Sequence, residues 1–128
     1  SINTRSTIEY ELLKQFSERV QNCLRESDTI ARQGGDSFHS SIEIKEEQDV
    51  LLIAERILAA LQEPWVVENH EFQTTSSIGI AFYLKDGTSF GELLQYADTV
   101  MYEAKHAGRN NIKVYSAYKN KEGLKRED

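Results

Sequence analysis

Arg32-Gln33-Gly34-Gly35-Asp36-Ser37-Phe38 is the stretch that decides how this chain is read. Two adjacent glycines can take positive φ in a tight hairpin. Asp36 stands at the tip, and Phe38 opens what reads as a return strand. A carboxylate beside exposed backbone N–H groups suits a metal-bound polyphosphate. Taken alone the tripeptide is weak, because most Gly-Gly-Asp turns are only turns.

The surrounding pattern gives the hairpin its frame. Leu12, Leu13, Phe16, Val20, Cys23 and Leu24 follow helical spacing and predict a first helix over residues 9–25. Strands are predicted over residues 28–32 and 38–44, the second unusually polar with His39, Ser40 and Ser41. Val50, Ile53, Ala54, Ile57, Leu58 and Leu61 give a second helix over residues 46–62, ended by Pro64, the only proline. Trp65-Val66-Val67 and Glu71-Phe72 read as a hairpin around residues 68–70. Residues 74–83 read as the best strand, with Ile78, Ile80 and Phe82 on one face. Gly79 and Ala81 on the other face would let a helix pack closely. Asp86-Gly87 is a turn, and Ser89 with Glu92 forms a capping box for a third helix running to His106. Gly108 is its terminator, and residues 111–115 form a last short strand. Hairpins mixed with crossover helices imply an α/β (α+β) sandwich, with a mixed, mainly antiparallel sheet flanked by helices.

Composition narrows the function. A chain of 128 residues, 39% hydrophobic and 28% charged, is long enough for one domain with a real core. A net charge of −6 argues against general nucleic-acid binding, which wants a basic face, although a local group of Arg and Lys can still take a nucleotide. One cysteine, Cys23, excludes an internal disulfide and fits a reducing cytoplasm; on the helix stripe it reads as a small buried hydrophobe. No apolar run reaches membrane-spanning length and no signal peptide is visible. The chain starts at Ser1 without a methionine, which reads as a piece of a longer protein. His39, His70 and His106 lack ligand-like spacing, and Tyr96 with Tyr102 reads as a packing stripe.

Several motifs fall in register across nearly the whole chain, and together they resemble the GGDEF domains, the diguanylate cyclases of bacterial cyclic di-GMP signalling. The hairpin is similar to the family's signature, with Ser37 where active members carry glutamate. The resemblance implies a nucleotidyl-cyclase-like fold, GTP as substrate held at Gly34 and Gly35, and Asp36 as a ligand of activating Mg2+. A serine hydroxyl brings no negative charge and is a poor base or metal support. Arg25-Glu26-Ser27-Asp28 resembles the family's RxxD inhibitory site for cyclic di-GMP, to which Arg56 corresponds as a further basic contributor. A guanidinium fork donates to guanine or phosphate acceptors and a carboxylate accepts from guanine N–H groups. The same residues also read as a helix-terminal arginine, a capping aspartate and a solvated helix charge. Ala104-Lys105-His106-Ala107-Gly108-Arg109-Asn110 resembles the family segment whose Lys and Arg contact GTP phosphates, here Lys105 and Arg109; cations near a helix C-terminus are the plain alternative. Ser77-Ile78-Gly79-Ile80-Ala81 is similar to the family's core strand.

The resemblance weakens at the N-terminus. Asn3 corresponds to a guanine-reading asparagine, Tyr10 lies where the family places a guanine-reading aspartate, and the first strand with the second metal aspartate is not found. The expectation is therefore a GGDEF-type domain over residues 1–116 lacking its first strand, then a charged tail or linker over residues 117–128. It would be catalytically impaired and would bind cyclic di-GMP, with an active cyclase and a non-nucleotide dimerisation module as alternatives. The resemblance further implies a cytoplasmic homodimer fused to sensor or effector domains, with no membrane insertion and no nucleic-acid polymer as partner.

Overall fold

The computed structural model describes residues 2–24, 29–34, 37–42 and 46–116, and side chains at 7–24, 39, 41–42 and 46–116. The elements are α1 (Ile2–Asn22), β1 (Thr29–Gly34), β2 (Ser37–Ser41), α2 (Glu47–Gln62), β3 (Trp65–Val67), β4 (His70–Phe72), β5 (Ser77–Ile80), α3 (Phe90–His106) and β6 (Asn111–Val114). Pairing is mixed: β1 with β2 and β3 with β4 run antiparallel, and β5 with β6 runs parallel. The chain divides into two compact units at Thr74 and Thr75.

In the first unit the apolar stripes of α1 and α2 meet over β3. Val20, Leu61 and Trp65 form the buried cluster, with Leu12, Phe16, Leu24, Ile57 and Phe72 packed against it. Phe16 stacks on Trp65 at 5.8 Å between centroids, and the indole Nε1 donates to Thr74 Oγ1 at 3.0 Å. Arg19 closes the cluster from above. Its guanidinium lies 3.4 Å from the centroid of the Trp65 ring. Nη1 donates to the Ala60 and Glu63 carbonyls at 3.0 and 2.7 Å, and Nη2 to the Pro64 carbonyl at 3.1 Å. These carbonyls lie in the last turn of α2 and just past it, where acceptors run short of backbone partners; Ala60 alone also accepts the Glu63 N–H. Pro64 cannot extend the helix, and Arg19 supplies the missing donors from another element. Glu68 and Asn69, at φ 49° and 68°, make the two-residue turn between β3 and β4, the doubly left-handed form that suits strand twist.

In the second unit α3 carries the chain from β5 to β6, as a parallel pair requires. Gly79 sets the closeness of that packing. A Cβ there would overlap the Ala97 carbonyl oxygen and sit 2.7 Å from Met101 N. Val100 and Ala104, on the same side of α3, are fully buried. The predicted cap is present: Ser89 Oγ accepts from Glu92 N at 3.2 Å, and Glu92 Oε1 takes the Ser89 hydroxyl and the Thr88 N–H.

Four expectations are corrected. α1 begins at Ile2 rather than at residue 9; once the Leu12–Val20 stripe is docked, adding residues to its N-terminus costs little. β5 ends at Ile80 rather than at residue 83, because Asp86 Oδ2 captures the Phe82 N–H at 2.7 Å and turns the chain. Cys23 sits just past α1 and is only half-buried, its thiol donating to the Arg19 carbonyl at 3.5 Å. Tyr96 packs as expected, stacked on Tyr115 at 4.3 Å, but Tyr102 is 60% exposed and lies against His106.

Candidate functional site

Two places in the structure carry the residues singled out from sequence. The first is the end of α3. The Ala107 N–H bonds the Glu103 carbonyl and the Arg109 N–H reaches back to the Ala104 carbonyl at 3.1 Å, with Gly108 at φ 105° between them. This long backward bond through a left-handed glycine is a Schellman cap. Nothing lies within 4 Å of a Cβ at Gly108, so its conformation alone calls for glycine there. Arg109 and Asn110 continue left-handed at φ 63° and 53°. Non-glycine residues held there cost on the order of 1 kcal/mol each and persist where the surroundings impose them. The cap therefore brings Lys105, half-buried in the last turn of α3, and the exposed Arg109 to one helix end. Two cations there oppose the negative end of the helix dipole and can jointly face a polyanion. Sequence reasoning missed the three-residue left-handed run; Asn110, which tolerates that region, was its signal.

The second place is the corner where α1 ends. Arg56 is exposed on α2 and acts on Cys23. Burial pushes the Cys23 thiol above its ordinary value of 9.0, and the Arg56 charge pulls it back down. Arg56 lies on α2, the helix whose Ile57 and Leu61 pack with α1 in the buried cluster. Arg25 and Asp28 themselves lie outside the described residues, as do Gly35 and Asp36. Gly34 closes β1 opposite Ser37, with a register shift between Arg32 and Gly34, so the hairpin backbone is in place on both sides of its tip. Asn3 lies in the first turn of α1. Among the described residues no group of three or more His, Cys, Asp or Glu could hold a metal ion.

With the hairpin, the capped helix end and the Gly79 strand in order along one chain, comparison with known proteins becomes decisive. The family model described as "Diguanylate cyclase, GGDEF domain" matches residues 10–111. The chain belongs to the GGDEF domain family. Relatives include the bifunctional diguanylate cyclase/cyclic di-GMP phosphodiesterase MucR of Pseudomonas aeruginosa, 39% identical over 109 residues. The match covers 85% of this chain and 16% of MucR. The cyclic di-GMP phosphodiesterase NbdA of the same organism is 32% identical over 106 residues, which is 83% of this chain and 14% of NbdA. The chain thus spans a small part of the length of these relatives. Among solved structures, the GGDEF domain of YfiN (TpbB) from Pseudomonas aeruginosa superposes with a TM-score of 0.81 at 33% identity, covering 88% of this chain and 73% of that one. An EAL/GGDEF domain protein from M. capsulatus gives 0.80 at 36%, covering 86% and 72%. The nucleotidyl-cyclase-like fold expected for a GGDEF domain is thereby established. No helix among the described residues is long and apolar enough to cross a membrane.

Proposed function

We propose that this GGDEF domain, spanning residues 1–116, binds cyclic di-GMP through Arg25, Asp28 and Arg56 and is impaired in making it. The observation that carries the reading is the Arg25-Glu26-Ser27-Asp28 motif directly after α1 in sequence, with Arg56 exposed on α2, the helix that packs on α1. Two guanidinium groups and one carboxylate are the groups that a ligand with two phosphates and two guanine edges calls for. Ser37 in the fourth signature position removes a carboxylate from the hairpin. Asp36 would be the residue holding Mg2+, which polarises a bound phosphoryl group. The kinship with NbdA, a phosphodiesterase by name, and with MucR, bifunctional by name, supports a domain that serves a larger cyclic di-GMP protein. In this reading the domain lies in the cytoplasm and acts as a homodimer.

A second reading, an active cyclase condensing two GTP, is favoured by Lys105 and Arg109 at one helix end, where they could hold the substrate's phosphates. Titration calorimetry of the 128-residue chain separates the two. Micromolar binding of cyclic di-GMP, lost in Arg25→Ala and weakened about tenfold in Arg56→Ala, supports the first. GTP turnover with Mg2+ by the same chain supports the second and rejects the first. Binding of neither nucleotide leaves a dimerisation module.

A further inference from the structure

We propose that Asp86 and Ser116 form a latch that couples the way the chain leaves β6 to the shape of the turn after β5. Asp86 is a two-sided bridge. Its Oδ2 accepts the Phe82 N–H at 2.7 Å, where β5 ends, and its Oδ1 accepts the Ser116 hydroxyl at 2.6 Å, two residues past β6. Tyr115, next to Ser116, stacks nearly parallel on Tyr96 of α3. The exit from β6 is thus fastened at two points, one on the turn and one on the helix.

The turn itself is under load. Leu84 is held at φ 74°, a left-handed position that leucine rarely adopts, and its side chain is 69% exposed, so little packing rewards it. Backbone bonds from Leu84 N to the Gly87 carbonyl and from Asp86 N to the Phe82 carbonyl close the turn around it. Tyr83 and Gly87 form an isolated bridge across its base. A strained turn persists only when its surroundings over-determine it, and the Ser116 hydroxyl fixes the rotamer of the side chain that does so. Pulling Ser116 away frees Asp86 to rotate, releases the Phe82 N–H and lets Leu84 relax. The element is therefore bistable: its closed form depends on where the chain beyond β6 is directed, and its open form loosens the approach to α3. This is independent of nucleotide binding and of the residues at the other end of α3.

Residue-resolved amide exchange on the 128-residue chain tests the coupling. In Ser116→Ala the Phe82 and Leu84 amides should exchange at least tenfold faster, with Val100 and Ala104 unchanged. In Ser116→Ala/Leu84→Asn the strain is removed, because asparagine tolerates the left-handed region, and protection at Phe82 should return. Exchange at Phe82 within twofold of the parent in Ser116→Ala overturns the latch. Should that variant not fold, Ser116→Thr and Ser116→Val decide: Phe82 protection kept with the threonine hydroxyl and lost with valine supports the coupling, and equal rates in the two overturn it.

Discussion

The two units join helix to strand in opposite ways. Around Trp65 the contact is made by large side chains, with indole, phenyl and guanidinium stacked in layers, the guanidinium bonded to backbone carbonyls and the indole N–H to the Thr74 hydroxyl. Around Gly79 the contact is made by the absence of a side chain, so that α3 backbone lies directly on the strand. The first seam distributes its energy over many separable interactions. The second concentrates it in one geometric condition, which no neighbouring rotamer can relax because the clashing atoms are main-chain. The first should fail by degrees and the second all at once.

The sharpest way to break this contrast is Gly79→Ala. One methyl group should remove about 3 kcal/mol or more, measured by urea denaturation, or prevent folding. A loss below 1 kcal/mol would mean that α3 can lift away. At the other seam, Arg19→Ala removes a cation–π contact and three charge-assisted bonds to the end of α2, and should cost about 2–4 kcal/mol. Arg19→Lys should recover less than half of it, since a point charge cannot fork to carbonyls on both sides while lying over a ring. Ser89→Ala, which removes the cap of α3 without touching the Gly79 contact, should cost about 1 kcal/mol. The smallest effect is at Cys23. The folded thiol has a raised pKa, so this residue's contribution to stability is fully present below about pH 9 and is lost as pH rises through the folded value. Iodoacetamide trapping should follow a titration centred above 9.0, and Arg56→Gln should move it further up. A midpoint unchanged by that substitution would separate Arg56 from the α1 corner.

How far the sequence revealed each seam follows from the range of the contacts. Gly79 next to isoleucines, Ser89 three residues before Glu92, and Gly108 after a helical run are local patterns, and each took its expected role. Arg19 carried no such signal. Its partners Ala60, Glu63 and Pro64 lie 41 to 45 residues away and are bound through carbonyls that every residue possesses. The over-long β5 has a different origin: its competitor is local, an Asp side chain four residues on that takes the Phe82 N–H in place of a strand partner. In the candidate site, the meeting of Lys105 and Arg109 at one helix end is a local pattern, whereas the packing of α2, which carries Arg56, on α1 joins residues far apart in the chain.

The cap at Gly108 also fixes what evolution can edit. Arg109 is both the closing donor of the α3 cap and the second residue before β6, whose pairing with β5 starts at Asn111. No slack separates the helix end, the cation and the strand. A side chain here can be exchanged, but adding or deleting a single residue between Ala104 and Asn111 would shift the strand register or swing the guanidinium to another side of the helix. Variation along this segment should therefore be in letters and not in length.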